Sequence, residues 1–376
     1  MFYFDYSATT PVNSDILAAF EKMNHQFYAN VGSMHTAGVT ANDQLAQART
    51  EVASFLGVQD EEIIFTSGAT ESNNLIIQGV ADARKKEGKH VITTMIEHSS
   101  VYDTYRYLEE YHNFEVTYLP VDENCRIRLE DLQAALRPET ILVSIMHVNS
   151  EVGSIQPVEE AIQLIRAHSD AYIHLDMVQS FTKIPYAFTD LDINFASISM
   201  HKIYGLKGSG LLYRRLDSKI VRRMFGGMQE FGVRGGTANT PANMVVGKTI
   251  ALALENIEKK HAHVDTLHQR LRQFLEQYDF ITINTPKESY SPYIVNFSVS
   301  GLNSDDILYT LDQAGICIST KSADVAKAKL PSRILYAMSR CEQRATSGVR
   351  ISLSHLTTEF EFDYLLDNLK MIFSQI

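Results

Sequence analysis

Short apolar runs rich in β-branched residues alternate with helically patterned segments from about residue 60 to residue 215, and this alternation limits the fold more than any other feature of the chain. Ile63-Ile64-Phe65, Val91-Ile92-Thr93, Val116-Thr117-Tyr118 and Ile141 to Ile145 read as strands, as do Ala171 to Leu175, Ile193 to Ile198 and Gly210 to Tyr213. Helical patterns separate many of them, among them Glu71 to Lys86 and Val158 to His168. Strand–helix alternation of this kind predicts an α/β unit with a mainly parallel sheet covered on both faces. Ligands of such sheets bind beyond the carboxyl ends of the strands.

From Thr240 to about Tyr278 the pattern is helical with few breakers, long enough to bridge two domains. Strands at Ile281 to Ile283, Ile294 to Val299, Ile316 to Ile318 and Val349 to Leu353, with helices after Asn303 and from Glu359 to Phe373, then make a smaller α+β unit. The expected division is a large domain over 15–260 and a small domain formed by 1–14 with 261–376.

Composition excludes several functions. A net charge of −11 disfavours nucleic acid, whose phosphates need a basic face. No apolar run approaches a membrane span, and Met1 to Thr10 lack the basic-then-apolar pattern of a secretory signal. Cys125, Cys317 and Cys341 are too few and too scattered for a disulfide framework or a zinc site. A cytoplasmic, reduced, metal-free protein with no membrane association is the expectation.

The candidate chemistry lies after the strands. Ser199-Met200-His201-Lys202 follows one strand and Asp176-Met177-Val178-Gln179 another. One lysine, one aspartate and a Ser/His pair suit pyridoxal 5'-phosphate (PLP): the amine forms a Schiff base, the carboxylate pairs with the ring nitrogen, and hydroxyl and imidazole reach the phosphate. Thr66-Ser67-Gly68-Ala69-Thr70-Glu71 opens a helix and presents N–H groups either to a phosphate or simply to a Thr70 cap. His98, in Glu97-His98-Ser99-Ser100, either stacks on a planar cofactor or sits at a helix cap. Asp176 is a ring partner or a cap for the segment that follows. Gly226-Gly227 and Arg234-Gly235-Gly236-Thr237 are a close backbone approach or a flexible loop. Arg350, on an apolar strand, forks either a substrate carboxylate or a structural partner.

Together these residues resemble the cysteine desulfurases, class V aminotransferases among the fold-type-I PLP enzymes. The resemblance starts at Tyr3-Phe4-Asp5-Tyr6-Ser7-Ala8-Thr9-Thr10-Pro11 and includes Asn30 to His35, Thr66 to Asn74, Glu97-His98 and Asn149 to Gly153. It continues through Asp176 to Gln179, Ser199 to Lys202 with Tyr204-Gly205, and Arg234 to Asn239. It implies that Lys202 carries the cofactor, that Asp176 binds the ring nitrogen and Gln179 the ring hydroxyl, and that His98 stacks on the ring. It gives the phosphate to Ala69, Thr70, Ser199 and His201, with Thr237 coming from the other subunit of a homodimer. It gives the substrate carboxylate to Asn149 and Arg350, and sets Asn30 near the entrance. A sulfur-acceptor protein is the implied partner.

One departure stands out. The family carries its sulfur-accepting cysteine in a loop reading Ser-Thr-Gly-Ser-Ala-Cys, whereas this chain reads Ser319-Thr320-Lys321-Ser322-Ala323-Asp324. A carboxylate cannot store sulfur as a persulfide, so Asp324 is an acid/base candidate instead. Cys341, flanked by arginines, is the better candidate for a substitute thiol, against the stronger reading of an ordinary surface cysteine; Cys317, in an apolar strand, and Cys125, in a turn, are discounted. Three functions stay open: desulfuration of cysteine or a related amino acid onto an external thiol or Cys341; a β-lyase or aminotransferase that needs no protein thiol; and a catalytically weak PLP-binding scaffold.

Overall fold

The computed structural model describes residues 1–186, 188–320 and 331–375. Its strands are, in chain order, β1 (Phe2–Tyr3), β2 (Ile63–Thr66), β3 (His90–Thr94), β4 (Glu115–Leu119), β5 (Thr140–Met146), β6 (Tyr172–Asp176), β7 (Phe195–Ser199), β8 (Gly210–Arg214), β9 (Ile281–Ile283), β10 (Ile294–Val299), β11 (Ile316–Cys317) and β12 (Gly348–Ser352). Seven of them form one mixed sheet in the order β2-β8-β7-β6-β5-β3-β4. Strands β3 to β7 pair in parallel, while β8 runs antiparallel to both β7 and β2. The exception has a simple cause. Residues 200–209 between β7 and β8 hold only a single short 3-10 turn, and a parallel crossover needs a dozen or more residues.

Every residue of β2, β3, β5 and β7 is buried, as expected for strands covered by helices on both faces. The covering helices include Thr36–Leu56, Ala69–Arg84, Ser99–His112 and Val158–His168. A second apolar core gathers Phe4, Leu267, Leu271, Val295, Phe297, Ile351 and Phe362 around the antiparallel sheet β12-β10-β9. Strand β1 joins this region by pairing in parallel with β11, so the first residues of the chain lie beside residues 316–317.

The expected bridging helix is broken. Residues 240–275 form Thr240–Met244, Val246–Leu254 and Ile257–Leu275, interrupted at Val245 and at Glu255 with Asn256, whose φ of 55° is left-handed. Asparagine tolerates that conformation through its short polar side chain, which allows the chain to turn without a glycine or proline.

Because β2, β3, β6 and β7 are mutually parallel, their carboxyl ends open on one edge of the sheet. The segments that follow them carry Gly68 to Thr70, His98, Gln179, and His201 with Lys202. Topology alone therefore brings these side chains to one rim.

Candidate active site

A cavity of about 240 Å³ opens at that rim, lined by Ala69, Thr70, His98, Asp176, Gln179, Ser199, His201, Lys202 and Arg350, with Ser7 and Ala8. Nine candidates chosen from the sequence thus share one hollow.

One wall is the start of helix Ala69–Arg84. Gly68 is its cap, with φ 149°, and Thr70 lies inside the first turn, so the reading of Thr70 as the cap is corrected. The Ala69 N–H donates to Ser199 Oγ at 2.8 Å, which ties the helix start to the end of β7. A side chain at Gly210 would meet the Gly68 Cα at 2.4 Å, so this close approach requires glycine.

Asp176 is buried at the end of β6 and accepts from Asn73 Nδ2 and the Val178 N–H, both at 3.1 Å. Its carboxylate is therefore fixed in direction. His98 caps helix Ser99–His112, with Nδ1 accepting from the Ser100 N–H at 3.2 Å. His98 is thus a helix cap that also lines the cavity. His201 meets Thr9 Oγ1 through Nδ1 at 3.1 Å, and burial, then the charges of Lys202 and Lys183, depress its pKa to about 4. It stands neutral at physiological pH.

Lys202 donates from Nζ to the carbonyls of Ser7, at 2.6 Å, and Ala8, at 2.8 Å. Gln179 Nε2 donates to the same Ser7 carbonyl at 2.9 Å, and Gln179 Oε1 accepts from the buried Lys183 ammonium at 3.0 Å. Burial pushes Lys183 down to about 7, with further lowering from Lys202 and Arg350. Arg350 is buried on β12; one nitrogen donates to the Ser150 carbonyl and another pairs with Asp5 at 3.0 Å. Its Nε has no hydrogen-bond partner among the described residues. The structural ion pair therefore exists on a residue that also lines the cavity. The balance of charge on this wall is cationic, suited to an anionic ligand.

Other candidates lie elsewhere. Asn149 is buried off the cavity wall, its oxygen accepting from the N–H groups of Glu151 and Val152 and its nitrogen donating to the Ile96 carbonyl. Thr237 and Asn30 are exposed and absent from the wall. Asp324 and Lys321 fall outside the described residues. No cysteine lines the cavity. Cys125 is buried and burial pushes its thiol up to about 12. Cys317 is only partly buried, because β11 has two residues and Ile316 faces the core; burial raises its pKa. Cys341 precedes the short helix Glu342–Thr346 and is partly exposed.

Asp5, Ser7, Asn73 and Lys183 shape this site, yet their roles were not read from the sequence. Only Lys183 left a usable signal, its interval of four residues from Gln179.

A family model described as aminotransferase class-V matches residues 2–365. The chain belongs to the class-V aminotransferase family. As such it is a PLP-dependent enzyme. Among its relatives, the cysteine desulfurase IscS of Dictyoglomus turgidum is 37% identical, with 100% of this chain and 95% of the relative covered. A mitochondrial cysteine desulfurase of Arthroderma benhamiae is 39% identical over 98% of this chain and 73% of its own. Among solved structures, a NifS-like protein superimposes with a TM-score of 0.94 at 35% identity, covering both chains completely. A structure described as SspA in complex with cysteine gives a TM-score of 0.82 at 34% identity, over 95% of this chain and 100% of that one. No helix among the described residues of this class-V aminotransferase is long and apolar enough to cross a membrane.

Proposed function

We propose that this class-V aminotransferase desulfurates L-cysteine, releasing alanine and passing the sulfur to a thiol other than the missing loop cysteine. The observation that carries the reading is the meeting of Lys202, Asp176, His98 and Arg350 around one cavity. Cysteine desulfurases among the relatives, and a neighbour described with cysteine bound, support the substrate.

The donor set fits PLP. A buried carboxylate held by Asn73 and the Lys202 amine line one cavity, helix N–H groups and a cationic wall suit a phosphate, and Arg350 lines the same hollow. When bound, PLP supplies an aldehyde for Lys202 and an electron sink for the charge left at the substrate α-carbon. Asp176 would face the ring nitrogen, Gln179 would donate to the ring oxygen, and His98 would cover the ring face. Ala69, Thr70, Ser199 and His201 would hold the phosphate. Lys202 Nζ would serve as the base that moves the α-proton. Arg350 would orient the substrate carboxylate.

A thiolate from outside the chain, or Cys341, then attacks the substrate sulfur. The sulfur–carbon bond breaks as a sulfur–sulfur bond forms, the β-carbon takes a proton, and alanine leaves a persulfide on the acceptor. Asp324 stands at the family's thiol position and Lys321 at a glycine position of the same loop; in a β-lyase or aminotransferase Asp324 would be an acid/base group. The same reading divides the chain into domains over 15–260 and over 1–14 with 261–376, and assigns a homodimer, a sulfur-acceptor partner and a cytoplasmic setting. Exposed Phe225 and Met228, each 74% accessible, support the homodimer, as does exposed Thr237, which this reading sends to the partner's phosphate site.

The test is product identification. Purified protein loaded with PLP and given L-cysteine with excess thiol reductant should form alanine and sulfide in equal amounts; Lys202→Ala should form neither and lose the visible absorbance. Cys341→Ser separates the internal from the external acceptor, and Asp324→Cys should raise alanine formation. Pyruvate in place of alanine would sink the proposal in favour of a β-lyase.

A further inference from the structure

Lys183 is a buried cation with no ion pair among the described residues, and the chemistry above does not use it. It sits in the turn after β6, where Thr182 has a φ of 59°. A β-branched residue rarely adopts that left-handed conformation, and such strain persists only where the surroundings enforce it. Here the turn brings the Lys183 ammonium back over Gln179, four residues earlier, at 3.0 Å from Oε1.

In its protonated form Lys183 has three donors and no acceptor, so that form accepts only one orientation of a neighbouring amide. With Gln179 Oε1 committed to Lys183, Nε2 must face the opposite way, where it donates to the Ser7 carbonyl at 2.9 Å and lines the cavity. Each amide nitrogen carries two protons, so one remains for a ligand. The same Ser7 carbonyl accepts from Lys202 Nζ at 2.6 Å, which links the turn to the anchoring amine. The groups around Lys183 are Gln179 on its own turn, Lys202 after β7, Arg350 on β12, His201 and the ring of Tyr293, 5.8 Å away just before β10. Among these groups Gln179 Oε1 is the one hydrogen-bond acceptor of the ammonium, and the Tyr293 ring faces it as a cation–π partner.

We infer that Lys183 is a positioning residue, whose ammonium locks the Gln179 amide with its NH₂ group turned toward the ring oxygen of bound PLP. The inference rests on the proposed occupancy of the cavity by PLP. It identifies a group that acts on the cofactor through another side chain without touching it.

The test uses the PLP-loaded protein and reads the pH midpoint of the cofactor's visible absorbance. Hydrogen bonding to an anion lowers its proton affinity, so loss of the Gln179 donor should raise that midpoint. Lys183→Met should move it upward by on the order of one pH unit and weaken PLP binding to the apoprotein roughly five-fold. Lys183→Arg, which also only donates, should restore both. Lys183→Gln, of similar reach but neutral, stands in should the methionine variant fail to fold, with a shift in the same direction. In a cycle with Gln179→Leu the two shifts should overlap rather than add. A folded Lys183→Met protein with the wild-type midpoint, or fully additive shifts, overturns the inference. Absence of any cofactor absorbance in the wild type would instead overturn the functional reading beneath it.

Discussion

Arg350 does two things at once. Its guanidinium pairs with Asp5 and the Ser150 carbonyl while the residue also lines the cavity. The sequence announced a charge on an apolar strand and hence a partner, but Asp5 lies 345 positions away, and no local pattern connects them. A lysine at this position keeps the charge and loses the fork. Arg350→Lys should raise KM for the amino acid by about ten-fold or more, the cost of one or two hydrogen bonds to a charged group, with a smaller change in kcat. Steady-state kinetics at saturating PLP checks it; an unaltered KM would return Arg350 to a purely structural role. Asn149 is held differently, its amide engaged by the Ile96 carbonyl, the Met146 sulfur and the N–H groups of Glu151 and Val152. Residue type drew attention to Lys202 and Asp176, because few chemistries need those groups together, whereas the role of His98 came from the family resemblance. Lys183 and Ser7 escaped because one is an ordinary lysine and the other contributes only its carbonyl.

At the level of elements, the site depends on the start of one helix being pressed against the end of two strands. Gly210 faces both Thr66 and Ser199 in the sheet and leaves no room for a side chain against Gly68. Gly210→Ala should cost about 2 kcal/mol through overpacking and should weaken PLP binding by displacing the Ala69 N–H from Ser199. Denaturant midpoints and cofactor titration measure the two effects; an unchanged affinity would mean that the helix start is not part of the phosphate site. Strand and helix identities were legible here, since apolar period and β-branched content are local properties. The direction of β8 was not, because it follows from the short connection after β7. Nor was the break at Asn256, since hydrophobic periodicity is blind to one left-handed residue.

At the scale of the whole molecule, burial of ionisable groups sets the response to pH. Burial depresses His147 and His268 to about 4 and His174 to about 3. Between these values and the ordinary 6.5 the unfolded chain binds more protons, so stability is lost as pH falls through that window. Burial raises Glu97 to about 8, a contribution complete below 4.5 and lost as pH rises to 8. The thermal midpoint should therefore drop by several degrees between pH 6.5 and pH 4.5, on the scale of a few kcal/mol, while above pH 7 the loss from Glu97 is opposed by Lys183, whose pKa burial lowers to about 7. Scanning calorimetry from pH 4.5 to 8.5 tests this, and a flat profile would mean that these groups are solvated. Global architecture also makes the N-terminus part of the site: β1 joins β11, and the chain then passes Asp5 to Arg350 and the Ser7 and Ala8 carbonyls to Lys202.

Sequence alone determined the α/β class, the PLP chemistry and the edge of the sheet where it gathers, because these follow from local periodicity and from the rarity of the residue combination. Only the tertiary structure decided that Asp5 answers Arg350, that Ser7 is shared by Lys202 and Gln179, that no cysteine lines the cavity, and that Lys183 is buried behind it. Those are distances between residues far apart in the chain or facts of burial, and only the packing of one element on another creates either.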